Sequence, residues 1–147
     1  ELTNMERCEI LDNRGLRSSN KLTWISKDLE ECNKYDIPKR RLNLLLYQRS
    51  CDSALGVPFN ITSYSLLLAM AAHCTNMIPG VFTHTYGDLH IYENHLNGIT
   101  EQLSRDSYQL PGLWLNPDVK NLFDFKYEDI KLVDYKCHPT IKLDVAV

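Results

Sequence analysis

Residues 47–60 read YQRSCDSALGVPFN. This stretch places Gln48, Arg49, Ser50, Asp52 and Asn60 close together, with Gly56 and Pro58 between them. An arginine is always charged and grips a phosphate through two parallel N–H groups. A serine hydroxyl adds a further polar contact. A carboxamide offers one donor edge and one acceptor edge, the pair that matches an imide or amide edge on a base. None of these groups is a strong nucleophile, so the set suits holding a phosphorylated, hydrogen-bonding ligand rather than attacking it. Each residue also has a purely structural alternative. Arg49 can pair with Asp52 or Glu93, and Asn60 can serve as the N-cap of the helix that follows. Asp52 can act as a general base or as the acceptor for a ring nitrogen, or it can neutralise Arg49.

A second group follows downstream. His90 and Tyr92 flank Ile91, so in an extended segment both point to one side, where they can bond a sugar hydroxyl or sit as core residues with satisfied polar tips. His84, His90 and His95 fall close together, but no HExxH and no Cys/His pairing accompanies them, and no metal is expected. Cys137 and His138 are adjacent, and adjacent side chains on an extended chain point apart, which argues against a catalytic pair.

The frame that must position these residues is one domain: 147 residues support a single core. Hydrophobic residues make up 44% and charged residues 24%, the balance of a soluble globular chain. The net charge of −3 argues against broad binding to nucleic-acid polymers, which depends on Lys and Arg neutralising phosphates. Five cysteines without a CxxC fit a reducing, cytoplasmic setting better than a disulfide framework. The apolar run Leu66–Ala72 is too short to cross a membrane, and no membrane partner is expected. The sequon at Asn60 is therefore expected to remain bare. A first residue of Glu1 rather than Met reads as a fragment or a processed piece.

Local signals outline the elements. Thr3 and Glu6 form a capping box that opens a helix to about Asp12, with Gly15 as its stop. A second helix is expected over Ser26–Lys34, with Ser26 as N-cap, Asp28 and Glu30 near its positive end, and Pro38 beyond it. Residues 1–40 read as an excursion between strands rather than an independent domain. Residues 41–48, RLNLLLYQ, predict a strand buried on both faces. Residues 60–76 are apolar nearly all round and predict a buried helix. Residues 81–92 predict a strand that gives way to a loop at Gly87-Asp88. Residues 93–105 predict a helix with Leu96, Ile99 and Leu103 on one face, and PGLWLNP and YEDIKLVDY predict strands. The class is α+β, with a mainly antiparallel or mixed sheet around one long buried helix.

The separated motifs YQRSCD, LGVPFNI.SY.LL, GD.HIY.NH and HP.IK..VAV occur in this order. Together they closely resemble thymidylate synthase over about residues 41–147, the C-terminal part of that fold. The resemblance implies reductive methylation of dUMP to dTMP with 5,10-methylenetetrahydrofolate as co-substrate, no metal, and a homodimer in the complete enzyme. It implies that Arg49 and Ser50 hold the 5′-phosphate and that Arg49 also orients the nucleophile. Gln48, Cys51, Asp52, Gly56 and Ile91 would belong to the nucleotide pocket, and Asn60 would read the uracil O4 and N3 edge. His90 and Tyr92 would bond the 3′-hydroxyl. Asp52, Leu55, Gly56, Phe59 and Ala146 would face the folate, with Ala146 and Val147 closing over the ligands. Arg49, Asp52 and Asn60 form the implied catalytic set.

The family's nucleophile is the Cys of a Pro-Cys-His motif upstream of this stretch, and that motif does not occur here. Cys51 lies where the family does not use a cysteine for attack. Upstream Glu and Trp residues of the folate pocket, and the Arg pair donated across the dimer, are also missing. The resemblance therefore implies an enzyme as the complete protein and an inactive segment by itself. Two rivals stand beside it: a dUMP or dCMP hydroxymethylase of the same fold, and a noncatalytic nucleotide-binding paralogue. Asn60 favours uracil, since relatives that act on dCMP tend to carry Asp there.

Overall fold

Thr3 opens the first helix, α1 (Asn4–Asn13), through both halves of a capping box: its hydroxyl accepts the Glu6 amide at 3.3 Å, and Glu6 Oε2 accepts the Thr3 amide at 2.8 Å. The computed structural model describes residues 1–16 and 25–145. Gly15, at φ +66°, stops α1; the amides of Gly15 and Leu16 turn back to the carbonyls of Asp12 and Leu11. Helix α2 (Ile25–Lys34) ends in the same way, with Asp36 at φ 49° and the Ile37 amide 2.8 Å from the Cys32 carbonyl. Ser26, expected as its cap, lies inside α2.

Leu11, Cys32 and Ile37 close a small core between the two helices. This pair is tied to the rest by the Leu2 amide on the Lys39 carbonyl at 2.8 Å, by Glu6 on Arg41 at 2.8 Å and by Asn76 on Asp36 at 2.8 Å. Arg41, with help from the Thr3 amide and hydroxyl, holds the Glu6 carboxyl down to about 2.

Strand β1 (Arg41–Asp52), helix α3 (Gly56–Cys74) and strand β2 (Ile78–His90) form the unit that carries the candidate site. Helix α3 returns the chain along the sheet, so β1 and β2 run parallel, from Arg41 opposite Ile78 to Asp52 opposite His90. A register irregularity between Leu42 and Leu44 is bridged by Asn43, whose Oδ1 accepts the Val81 amide at 2.9 Å. Strands β3 (Gly112–Leu115) and β4 (Ile130–Val133) form a separate antiparallel pair. Beside it Asn116 donates to Asp129 at 2.6 Å and holds that carboxyl below its usual range. The class is α+β as expected, but the pair flanking the long helix is parallel, and antiparallel pairing is confined to the small sheet.

Four expectations change. Strand β1 is not covered on both faces: Leu42, Leu44 and Leu46 are half-buried, while Leu45 is 71% and Tyr47 64% exposed. Helix α3 covers one face only, and Val81, 65% exposed, adds to the open side. Strand β2 runs through Gly87-Asp88 without a loop. Glycine permits this because a Cβ at 87 would sit 2.8 Å from the Arg49 carbonyl oxygen. Helix α3 begins at Gly56 and buries Leu68, Ala69 and Ala72, but Phe59, Ile61 and Leu67 are exposed. Residues 93–95 form a 3₁₀ turn before a short α4 (Leu96–Leu103), whose Leu96 and Leu103 are exposed. Instead of that apolar row, α4 presents Gly98 to Ile141 and Leu143.

Candidate functional site

The end of β1, the first turns of α3 and the end of β2 meet at one place because the parallel register sets Gln48 opposite Tyr86, Ser50 opposite Asp88 and Asp52 opposite His90. Gln48 organises it. Its amide nitrogen lies 3.0 Å from the Ser50 carbonyl, an obligatory acceptor, so this atom is the donor. The same nitrogen donates to Asn60 Oδ1 at 3.0 Å. Gln48 Oε1 then accepts from His84 Nε2 at 2.9 Å, which puts the hydrogen of that ring on Nε2. The chain His84–Gln48–Asn60 thereby fixes the orientation of the Asn60 carboxamide. One Oδ1 lone pair and both Nδ2 hydrogens remain for a ligand. Asn60 lies inside α3, and Leu55 is the residue at the cap, so the capping role does not apply.

Arg49 and Ser50 are exposed at the end of β1. Among the described residues, no hydrogen bond or ion pair engages the Arg49 side chain. The anticipated pairing with Asp52 or Glu93 does not form. Cys51 is fully buried and its thiol meets the Gln48 carbonyl at 3.3 Å. Asp52 Oδ1 accepts the Ala54 amide at 3.0 Å and stands 4.0 Å from His95 Nδ1. The Ser53 amide donates to the His90 carbonyl at 2.9 Å and joins this loop to β2.

His90 and Tyr92 do reach the same side, with ring centroids 5.1 Å apart and edge to face. Ile91 between them is partly exposed. Leu55, Gly56 and Phe59 stand at the head of α3, where Phe59 is 72% exposed. Ala146 and Val147 lie outside the described residues.

The three neighbouring histidines take separate partners: Gln48 for His84, the Asp88 carbonyl for His90 and the Asp144 carbonyl for His95. His138 stacks on Tyr108 and bonds the Asp106 carbonyl at 2.8 Å, so its ring is engaged away from Cys137. A cavity of about 780 Å³ is lined by Tyr108, Cys137 and His138 together with residues from Ile99 to Lys136, and none of Gln48, Arg49, Ser50, Asp52, Asn60, His90 and Tyr92 lines it. The chemistry of the convergent polar groups, not cavity size, marks the site. Sequence reasoning weighed His84 only as a metal ligand. Its contact with Gln48 depends on strand register, although positions 82, 84 and 86 alternate onto the α3 side of β2.

A family model described as thymidylate synthase matches residues 22–147. The chain belongs to the thymidylate synthase family. Curated thymidylate synthases of Mycoplasma mobile and Leuconostoc mesenteroides are 57% and 56% identical to it over 114 and 115 residues. Each alignment covers 78% of this chain, and 40% and 36% of the respective relative. Among solved structures, the thermostable thymidylate synthase A from Bacillus subtilis matches with a TM-score of 0.71 at 37% identity, over 76% of this chain and 40% of that one. The chain thus spans at most about two fifths of the thymidylate synthases it matches here. The family match begins at residue 22 and so takes in α2 as well as β1.

Proposed function

We propose that this chain is the C-terminal, ligand-holding part of a thymidylate synthase, and that the complete protein methylates dUMP reductively to dTMP with 5,10-methylenetetrahydrofolate. The observation that carries this reading is the oriented Asn60 carboxamide, held by Gln48 and His84, with Arg49 next to Gln48 in β1 and without a side-chain partner among the described residues. In this reading Asn60 Nδ2 donates to uracil O4, and its Oδ1 accepts from N3–H. Arg49 and Ser50 take the phosphate, and His90 and Tyr92 take the 3′-hydroxyl. Cys51, Ile91 and Gly56 border the nucleotide, while Asp52, Leu55 and Phe59 face the folate.

Uracil C5 is a weak nucleophile until a thiolate adds at C6. Cys51 is buried against the Gln48 carbonyl, and the chain carries no Pro-Cys-His. The segment alone binds and orients, and the thiolate belongs to the complete protein. The folate donates the methylene and then a hydride, and leaves as dihydrofolate. We read residues 1–40 as an excursion tethered to β1, of which the family match takes in 22–40, and residues 41–147 as the C-terminal part of the thymidylate synthase domain.

The open face of β1 and β2 carries Leu45, Tyr47, Val81 and Leu89. An exposed apolar sheet face of this kind calls for cover, and we assign it to the homodimer contact. The five cysteines, with no CxxC among them, accord with a cytoplasmic setting.

The test is tritium release from [5-³H]dUMP by the complete protein with methylenetetrahydrofolate, read together with dihydrofolate and product identity. Stoichiometric dTMP and dihydrofolate are expected. A 5-hydroxymethyl product would assign the hydroxymethylase instead, and dUMP binding without release would assign the noncatalytic paralogue.

A further inference from the structure

His95 is fully buried, and its two ring nitrogens face two different parts of the chain. Nε2 lies 2.7 Å from the carbonyl oxygen of Asp144, an acceptor only, so Nε2 carries a hydrogen and donates. Asn94 Nδ2 donates to the same carbonyl at 3.2 Å. Nδ1 has no hydrogen-bond partner among the described residues and points to the Asp52 carboxylate, 4.0 Å away. The edge of the ring also meets Tyr92, at 5.8 Å between centroids, and Tyr92 meets His90 in turn. One buried imidazole therefore touches a candidate catalytic carboxylate, the aromatic pair assigned to the sugar, and the backbone of the C-terminal segment. That segment is seated independently: Ile141 and Leu143 lie over Gly98, where a Cβ would run into Leu143 Cδ2.

We propose that His95 is a positioning residue that sets the Asp52 carboxylate from its Nδ1 edge while its Nε2–H holds the C-terminal segment in register at Asp144. This rests on the thymidylate synthase reading above, in which Asp52 faces the folate. Asp52 Oδ1 is the atom that faces Nδ1, and the same oxygen is anchored by the Ala54 amide. The imidazole fills the space between carboxylate and tail, so a change at either end is felt at the other. The residue touches neither reacting atom, and its effect is exerted through Asp52 and the tail.

Two substitutions separate the edges. His95→Gln places an amide near the Nε2 position and can still donate to the Asp144 carbonyl. His95→Asn places its amide near the Nδ1 position and cannot reach that carbonyl. In the complete protein, His95→Gln, which vacates the Nδ1 edge beside Asp52, is expected to raise KM for methylenetetrahydrofolate about tenfold, with dUMP affinity within about twofold of the parent. His95→Asn, which keeps an amide on that edge, is expected to hold the folate KM near the parent. In the same samples, amide exchange of residues 141–145 is expected to rise about tenfold in His95→Asn and to stay near the parent in His95→Gln. Equal loss in both variants, with KM unchanged and only the unfolding midpoint lowered, would reduce His95 to a packing residue. Exchange of 141–145 that does not depend on His95 overturns the inference whether or not the protein turns over. Absence of dUMP binding and turnover in the parent protein, with exchange following the expected pattern, would instead remove the functional reading and leave the tail anchor standing.

Discussion

Replacing Asn60 by Asp tests the base-reading role through a single atom. The Gln48 amide nitrogen is pinned by the Ser50 carbonyl at 3.0 Å, so it must face an oxygen at position 60, and a carboxylate supplies one as well as a carboxamide does. The anchoring contact survives the substitution. The change falls on the other arm, where Nδ2–H₂, a donor, becomes a carboxylate oxygen, an acceptor. Against uracil O4 that exchange removes one hydrogen bond and sets two acceptors face to face. Against the 4-amino group of cytosine it creates a matched pair. A lost hydrogen bond with an unsatisfied partner amounts to about 1–3 kcal/mol. Taking about 2–3 kcal/mol for the combined reversal, the ratio of dUMP to dCMP affinity should fall roughly 30- to 150-fold. The assay is calorimetric titration of the complete protein with each nucleotide, with thermal unfolding as a control for the fold. The midpoint should move little, because the Gln48 contact and the helical position of Asn60 are kept. An unchanged ratio would refute the reasoning and leave Asn60 as a partner of Gln48 only.

Arg49→Lys keeps the charge but loses the planar fork, and dUMP affinity should fall roughly tenfold by titration; equal affinity would take Arg49 out of the phosphate site. Gly87→Ala should destabilise by about 1–3 kcal/mol in denaturant melts, since the new Cβ meets the Arg49 carbonyl oxygen at 2.8 Å and β1 must shift; a melt identical to the parent would show that β1 yields freely there. Glu6 titrates at about 2 when folded, below its ordinary value of 4.5, so its contribution is complete above about pH 4.5 and is lost as pH falls toward 2. Thermal midpoints taken from pH 6 down to pH 2.5 should therefore fall more steeply for the parent than for Glu6→Gln, and parallel curves would show that the Arg41 contact adds nothing.

What the sequence by itself determined is local or motif-borne. The capping box at Thr3 and Glu6 and the stop at Gly15 are made within a few residues, and they form as the side chains dictate. The motif order alone placed the chain in its family, because several fixed spacings must coincide. The long helix, the strands around it and the shared side of His90 and Tyr92 followed from period and spacing. What only the tertiary structure decided involves partners far apart in the chain. Whether β1 was covered on one face or two depended on what packs there, and apolar residues on both sides of the strand could not say. The start of α3 at Gly56 rather than Asn60 decided whether Asn60 caps a helix or faces Gln48. The parallel register brought His84 to Gln48 across 36 residues, and chain folding brought His95 to Asp144 across 49. A neutral imidazole has two unlike nitrogens whose roles are set by the groups they meet, and in this chain those groups come from distant segments that meet only once the chain has folded.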